Sequence, residues 1–449
     1  MAMASEKQYI DLYRSNRALV ETGSCPVMNA KRESAAAQLE AKGLPTKRVE
    51  RYKYTDAEAA FAPDYGLNLN RTLPGNDPYK AYHCNVPNLS TSLYYVVNDV
   101  ICPSEGKVSA LPEGVIVDSI QHVSQQCLGL VEKYYHKAAS YEYDGVTELN
   151  TLLAQDGLMV YLPAGVHLER PIQLVNVSTA RMDLMSNRRV LVVAEEGASG
   201  ALLFCDHAEG PVRYLTTQVV EVFAAPHARV DLYSIEETNN RNVRFNNLYV
   251  EQQNDSHVSY NGMTLHNGLT RNRLDFRMLG ENCTVNTYGA VIADTDERVD
   301  NSIVVEHAAP SCTSDMLYKY VLDGRSEAAF AGKVLVQEGA QKSLSEQTNA
   351  NLCVSPDAHA YSQPMLEIYA DDVKCNHGST IGKLDETALF YMRQRGIEEK
   401  EARLLLQHAF INDVIQHVEM EELRDRLATL VELRFRGELT KCKACKMCK

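Results

Sequence analysis

The spacing of apolar and polar residues divides the chain into three parts. Over residues 5–42, apolar side chains recur at helical intervals, with stops at Gly23 and Gly43. From about Leu158, short β-branched runs with alternating polarity dominate for more than 200 residues. Helical spacing returns at Asp385, a credible N-cap. The pattern therefore predicts a β core between two helical regions.

A turn motif recurs through the β part at a nearly constant interval. Each copy has a turn residue, then a small residue, then alternation; the small residues are Ala198, Ala228, Ser256, Cys283, Ser311 and Ala340. The steps of 30, 28, 27, 28 and 29 residues fit one coil of a β-helix with two long faces, at about 3.3 Å per strand residue. A β-sandwich with accidental spacing is the alternative. Two later copies at Ala358 and Val373 follow at shorter steps, which predicts narrower last coils.

These signals predict a mainly β protein with a parallel β-helix core and helical regions at both termini. The predicted parts are an N-terminal helical and mixed region at 1–157, the β-helix at 158–382, a C-terminal helical domain at 383–440 and a cysteine-rich tail at 441–449. A β-helix has open ends with unpaired strand edges, which must be capped or paired.

Composition excludes several classes of partner. The formal charge of -14 argues against nucleic acid or an anionic membrane, since phosphate binding needs a basic surface. We see no signal peptide and no apolar run near the roughly 20 residues of a membrane span, so we expect a cytoplasmic protein. In that compartment most of the 12 cysteines should be reduced thiols, buried as small hydrophobes.

Candidate chemistry lies near the end of the β part. Val373, Cys375 and His377 share one parity of a predicted strand, so their side chains should point to the same face. A thiol and an imidazole two residues apart on one face form a soft-metal or nucleophile pair. The alternative for Cys375 is packing inside the solenoid.

The chain ends in a CxxCxxC string formed by Cys442, Cys445 and Cys448. Three thiolates at this spacing suit one metal ion or three corners of a cubane cluster, with a fourth ligand from elsewhere. Flanking lysines favour the thiolate form. Against a metal role, chain termini are often disordered.

One predicted C-terminal helix carries an apolar stripe made of Ala402, Leu405, Leu406, Ala409, Phe410 and Val414. The stripe predicts either packing of the helix against the solenoid or a docking face for a partner.

Three segments resemble a known family. LEIYADDVKCNHGSTIGKLDETALFYMRQRGI at 366–397 closely resembles the C-terminal signature of the SufD branch of the SufB/SufD family, which assembles iron–sulfur clusters in the Suf system. The segments at 338–358 and 43–56 resemble other blocks of that family. One departure is Tyr52, where the family usually has Trp before Lys-Tyr-Thr.

The resemblance implies a right-handed β-helix and a set of partners. Members pair with a SufB-like paralogue through the edges of terminal strands, form homodimers when alone, and contact a SufC-like ATPase through the C-terminal helices. The family's functional histidine corresponds to His377, with Cys375 beside it. The implied cargo is a nascent iron–sulfur cluster held transiently at a subunit interface, and the resemblance allows a flavin in the full complex.

We therefore expect a non-catalytic scaffold subunit of the Suf complex. The chain has no G-x-x-x-x-G-K-[ST] loop, so ATP hydrolysis should come from a partner ATPase. The alternatives are a carbohydrate-active β-helix enzyme and a metal carrier that uses the CxxCxxC tail.

Overall fold

A computed structural model describes residues 5–73, 77–82, 84, 89–104, 108 and 110–439. The α-helices are α1 Ser5–Ser15, α2 Arg17–Thr22, α3 Pro26–Lys42, α4 Ala57–Phe61, α5 Pro78–Ala81, α6 Ile120–Gln126, α7 Leu128–Tyr134, α8 Gly145–Leu153, α9 Glu386–Gln394, α10 Glu399–Ile415 and α11 Glu421–Phe435. Short 3-10 helices occupy Glu50–Tyr52 and Ala138–Ser140.

The strands of the N-terminal part and the first coils are β1 Gly66–Leu67, β2 Ser92–Val97, β3 Val100–Ile101, β4 Ile116–Ser119, β5 Leu158–Leu162, β6 Ile172–Ser178, β7 Leu184–Ala194, β8 Ser199–Ala208, β9 Tyr214–Ala224 and β10 Arg229–Glu237. The later strands are β11 Asn242–Gln252, β12 His257–His266, β13 Leu269–Met278, β14 Thr284–Ala293, β15 Arg298–His307, β16 Thr313–Leu322, β17 Glu327–Val336, β18 Ser343–Cys353, β19 His359–Ile368 and β20 Val373–Gly382.

Alternate strands form two sheets. One sheet has the order β19-β17-β15-β13-β11-β9-β7-β5-β4 with β1 beside β7, and the other has the order β20-β18-β16-β14-β12-β10-β8-β6-β2-β3. Neighbours from β5 and β6 onward are parallel and in register. This is a β-solenoid of about eight turns with helices at both termini, so the predicted parallel β-helix is confirmed and the sandwich alternative is wrong.

The repeated turn residues form one corner of the solenoid. Five consecutive corners place a residue at positive φ, namely Gly197, His227, Asp255, Asn282 and Ser311. The N–H of each donates to a carbonyl oxygen in the next corner along the rod, at 2.8 to 3.2 Å. Glycine, Asn and Asp tolerate this conformation best, which explains the turn signal in the sequence.

The last coils are not narrower than the others. Lys342 is the next corner residue at positive φ, and its N–H donates to the Asp372 carbonyl at 2.6 Å. The register pairs Ser343 with Val373, a step of 30 residues. Ala358 lies between β18 and β19, at the opposite corner. The predicted narrowing is therefore wrong, because turns from two different corners were placed in one series.

Helices cover both outer faces of the rod. From the N-terminal region, α1, α3 and α8 pack on Met185, Leu215 and Phe245, in the sheet that contains β7. From the C-terminal region, α10 and α11 pack on the other sheet, around residues such as Met263 and Tyr288. The interior is filled by inward side chains of both sheets. The final coil, formed by β19 and β20, is the part of the rod with the greatest exposure.

Candidate interface site at the open end of the solenoid

The two ends of the rod differ in their edge strands. At the N-terminal end the sheets finish in β3 and β4, antiparallel strands of two and four residues. At the C-terminal end they finish in β19 and β20, each ten residues long. Within the described part of the chain, no strand pairs with the outer edge of either one. A long, unpaired edge is a template for strand pairing with another chain.

The side chains of Cys375 and His377 face the interior of the solenoid at this open end. Their register partners on β18 are Ser345 and Gln347, whose side chains are buried inside the rod. Because no further coil covers β20, His377 is exposed and Cys375 is half-buried. The structure thus places the predicted pair on one face of the terminal strand, as the sequence parity requires.

A hydrogen bond ties the two terminal strands together beside this pair. Ser379 Oγ on β20 donates to Ser362 Oγ on β19, at 2.6 Å. Both serine side chains point inward, because their register partners on the preceding strands are the buried residues Asn349, paired with Ser379, and Phe330, paired with Ser362. The last coil is therefore closed across its interior although its edge is open.

Cys375 sits at the margin of a small apolar cluster that includes Val334, Val336, Ala340 and Ala370. Burial raises the pKa of its thiol, so the free side chain is a protonated thiol at neutral pH. A bound cation would favour loss of the thiol proton, as metal coordination does.

Cys375 and His377 supply two soft or borderline donors about 7 Å apart along the strand. Across the described residues, no three His, Cys, Asp or Glu side chains are arranged to hold a metal ion. The residues present therefore fit half of a ligand set. The predicted tail ligands Cys442, Cys445 and Cys448 lie outside the described residues.

The free edge of β20 also exposes backbone groups. Leu344 N donates backward to Cys312 O at 2.9 Å, and Leu344 is the register partner of Lys374. Because backbone groups alternate along a strand, the N–H and C=O of Cys375, His377 and Ser379 point to the open edge.

The free edge of β19 is different. His359 N and Tyr369 N donate backward to Ser326 O and Val336 O, so the alternate residues between them point to the open edge. One of these is Pro364, which has no N–H to offer. Proline is a common device for preventing edge pairing, so β20 is the better template for a partner strand.

Large apolar side chains are exposed on the last coil and on α9, the helix that follows it in the chain. Tyr369 and Ile381 are 63% and 55% exposed, and on α9 Phe390 and Tyr391 are 62% and 58% exposed. In α9 only Leu389 is buried. A group of large exposed hydrophobic residues beside a free strand edge is typical of a protein–protein interface.

The segment at 50–55 supports the last coils from outside. Tyr54 stacks on Tyr361 of β19 with ring centroids 5.0 Å apart, and Gln363 of β19 donates to Glu50 at 3.1 Å. Arg51 pairs with Asp275 of β13. No local sequence pattern predicts these contacts, because each joins residues more than 200 positions apart.

The apolar stripe of α10 divides between two environments. Ala402 and Val414 are buried. Leu406 and Phe410 pack against the apolar cluster between this helix and the sheet, which includes Met263 and Tyr288. Leu405 is 44% exposed, and it lines a groove of about 150 Å³ between α10 and α11 with His408 and Phe435 among its neighbours. The stripe thus packs on the solenoid and also leaves an outer apolar groove.

The sequence matches two family models that together span most of the chain. Residues 176–410 match the SufBD core domain of the SUF system for FeS cluster assembly. This core-domain match covers more than half of the chain. The chain belongs to the SufBD family. Residues 3–174 match the N-terminal region of SufBD proteins, so both the solenoid and the helical region before it are family features.

Curated relatives agree with this assignment. An iron–sulfur cluster assembly SufBD family protein of Synechocystis is 26% identical over 430 residues, covering 93% of each chain. The iron–sulfur cluster assembly protein SufD of Escherichia coli is 28% identical over 52% of this chain and 58% of its own. SufD of Bacillus subtilis is 24% identical over 71% and 74%.

The described helices include none that is both long enough and apolar enough to span a membrane.

Proposed function

We propose that this SufBD family chain is a non-catalytic scaffold subunit that pairs with a SufB-like paralogue and holds a nascent iron–sulfur cluster at their junction. The single observation that carries the proposal is the open C-terminal coil. It combines an unpaired ten-residue strand with Cys375 and His377 on the face beside that edge. Two donors on one chain need further ligands, and a partner strand added to β20 would bring them to the same place.

Each donor has a distinct role in this proposal. The imidazole of His377 is exposed, so it binds iron as a neutral nitrogen ligand without prior conformational change. The thiol of Cys375 loses its proton only when the cation is in place, because burial raises its pKa. The cluster and its precursors are cargo here, passed on to recipient proteins.

His377→Ala tests the ligand assignment. Because the side chain is exposed, the variant should fold and associate normally, yet form no cluster when the complex is reconstituted with iron, a sulfur source and ATP. Cluster formation is followed by visible absorbance and by iron and sulfide content per complex.

His359→Ala is the matched control for this variant. His359 is an exposed imidazole on the same coil, but its register partner Glu327 places it on the outer face, next to the inward Ala360. The control should retain wild-type cluster yield. Normal yield in His377→Ala, or equal loss in both variants, would refute the role of His377.

A pair of proline substitutions tests which edge is used. Ser379→Pro and Ser362→Pro each remove the same Ser379–Ser362 hydrogen bond. Each also puts proline at a position whose backbone N–H points to the open edge of a terminal strand. If the partner adds to β20, only Ser379→Pro removes an N–H that the partner needs. We expect it to abolish association with the paralogue and the homodimer formed by the isolated chain, as judged by light scattering.

Ser362→Pro should retain association, because β19 already carries Pro364 at that edge. Far-UV circular dichroism of both variants controls for folding. Loss of association in Ser362→Pro with retention in Ser379→Pro would show that the partner uses β19, and retention in both would show that strand pairing is not the contact.

A groove on the C-terminal helices supports the proposal of an ATPase partner. The groove beside Leu405 is apolar at its centre and has Glu401, Glu432 and Arg436 at its rim. An apolar centre with a charged rim is the usual anatomy of a docking surface. We propose that a SufC-like ATPase docks here and supplies the ATP hydrolysis. A flavin in the full complex stays a prediction.

A further inference from the structure

A second group of thiol and imidazole side chains lies far from the open end, on the outer face of the β20-containing sheet. Cys205 and His207 are two residues apart on β8 and point outward, since Leu202 and Phe204 are in the interior. Cys84, which lies between α5 and β2 in the sequence, contacts His207 on this face. No step of the proposed function uses these residues.

Hydrogen bonds connect the three side chains, one of them directly and the others through Gln173. His207 Nε2 is 3.3 Å from Cys84 Sγ. Gln173 Nε2 donates to both sulfur atoms, at 3.5 Å for Cys84 and 3.6 Å for Cys205, and to the Cys84 carbonyl at 2.8 Å. The Gln173 amide nitrogen thus lies between the two sulfur atoms and is a donor to both. Gln173 is fully buried, and Thr91 Oγ1 fixes its amide by donating to Oε1 at 2.8 Å.

The charges around the group favour a thiolate on Cys84. The hydrogen bond from Cys205, together with the charges of His207 and Arg426, holds the pKa of the Cys84 thiol well below its usual value. Burial would lower the pKa of His207, but the Cys84 thiolate and Glu237 raise it to about 9.

The second thiol keeps its proton. The hydrogen bond to Cys84 and burial raise the pKa of Cys205 well above its usual value, with Asp206 adding to the effect. Because His207 contacts Cys84 at 3.3 Å, Cys84 is the thiol placed to form a thiolate–imidazolium pair, and Cys205 is the second thiol of the group.

We propose that Cys84 and Cys205 form a redox-active dithiol that reacts with hydroperoxides and closes to a disulfide, with His207 as the proton donor. Low-pKa thiolates that are partly accessible and lie beside a second cysteine are the ones most readily oxidised. Cys84 is half-buried, whereas Cys205 is buried, so Cys84 is the thiol that we expect a small peroxide to meet first.

The chemistry balances within the group. The Cys84 thiolate attacks one oxygen of the hydroperoxide, the O–O bond breaks, and His207 protonates the departing alkoxide to give an alcohol and Cys84 sulfenic acid. The Cys205 sulfur then attacks Cys84, the S–O bond breaks, and water leaves with the Cys205 proton. A cellular dithiol would restore the reduced pair by exchange.

The disulfide would join residue 84 to β8 and close a loop of 121 residues, from positions 84 and 205. A cross-link across a long loop restricts the unfolded chain. The oxidised protein should therefore have a higher Tm than the reduced protein.

Other cysteines of the same chain provide two comparisons for Cys84 and Cys205. Cys283 and Cys312 are a second pair of neighbouring thiols, but both are fully buried, and both donate to the Gly280 carbonyl, at 3.2 and 3.3 Å. Cys127 is an exposed free thiol on the loop between α6 and α7. Neither case combines accessibility with an imidazole contact.

The test is a competition within the reduced full-length chain. Limiting hydrogen peroxide is added, remaining thiols are alkylated, and peptide mass spectrometry follows each cysteine. We expect a Cys84–Cys205 disulfide to form at least tenfold faster than oxidation of Cys127, with Cys283 and Cys312 still reduced. In Cys205→Ser, Cys84 should stop at the sulfenic acid and react with dimedone.

His207→Gln should slow Cys84 oxidation about tenfold and abolish its advantage over Cys127, with circular dichroism as the folding control. Equal rates for Cys84 and Cys127 in the wild-type chain would overturn the proposal. Oxidation of Cys84 without a bond to Cys205 would overturn the dithiol assignment. Because neither cysteine belongs to the proposed cluster site, these outcomes are independent of the His377 experiment.

Discussion

Asp275→Asn tests the ionic link between the N-terminal region and the solenoid. Asp275 is a buried carboxylate on β13. It accepts hydrogen bonds from Arg51 at 3.0 and 2.5 Å and from Arg273 Nε at 2.8 Å. Asparagine keeps the size of the side chain but removes the negative charge that two guanidinium groups share.

Removing one partner of a buried ion pair costs about 3–5 kcal/mol, because the other charge is left without compensation. Glu142 and Asp144 still contact Arg273, at 2.6 and 3.2 Å. We therefore expect the lower end of the range, about 3 kcal/mol at neutral pH.

Part of this stability depends on pH. Burial opposes ionisation, but Arg273 and Arg51 lower the pKa of Asp275 to about 2 from its ordinary 3.8. A carboxyl group whose pKa is lower in the folded protein than in the unfolded chain stabilises the fold. This stabilisation is fully present above the pKa of the unfolded chain and is lost as the pH falls through the pKa of the folded protein. A shift of nearly two pH units corresponds to about 2 kcal/mol, of which about half is lost by pH 3.

The assay is urea unfolding at pH 7 and pH 3, followed by circular dichroism, since the chain has no Trp for fluorescence. The matched control is Asp296→Asn, which breaks an Arg–Asp pair of similar geometry with Arg325 that is about 70% exposed. The control should cost under about 0.5 kcal/mol. A cost below about 1 kcal/mol for Asp275→Asn, or the same cost at both pH values, would refute this reasoning.

Two further predictions concern packing and docking. Gly289→Ala should destabilise the protein by roughly 1–3 kcal/mol, because the new methyl group would overlap the buried Tyr318 ring. Gly378→Ala should change stability by under about 0.5 kcal/mol, because its methyl group would meet open space. Thermal unfolding compares the two variants, and equal shifts in Tm would contradict the packing argument. Leu405→Asp should weaken capture of the ATPase at least tenfold. The control is Leu128→Asp on α7, where the leucine is 43% exposed against 44% for Leu405, and it should not weaken capture. Undiminished capture by Leu405→Asp would exclude the groove between α10 and α11 as the docking site.

The repeat of the solenoid was predictable because each corner needs a residue that tolerates positive φ. Such residues leave a periodic trace in the sequence, as Gly197, Asp255 and Asn282 do. The trace does not say which of two corners a turn occupies. Ala358 follows the same kind of turn as Ala340, yet lies at the other corner, and this is why the last coils were predicted to be narrow.

The direction of the Cys375 and His377 side chains was predictable from parity alone, because strand side chains alternate strictly. Contacts between distant segments were not. Arg51 meets Asp275 across 224 positions, and Cys84 meets His207 across 123. Neither contact belongs to a periodic pattern, so only the folded chain brings these residues together.

The position of His377 follows from how the rod ends. The N-terminal ends of both sheets are protected, because their edge strands are only two and four residues long and antiparallel. Of the two long C-terminal edges, β19 is weakened as a template by Pro364, which leaves β20 as the one continuous edge. Cys375, His377 and Ser379 are the residues of β20 whose backbone groups face outward, and alternation makes them the same residues whose side chains face the open interior. The free backbone groups and the inward side chains therefore belong to the same residues, and two of these, Cys375 and His377, are the proposed ligands. A partner that hydrogen-bonds to this edge would place its own side chains beside the imidazole, so the cluster site that we propose would be complete only when the subunits meet.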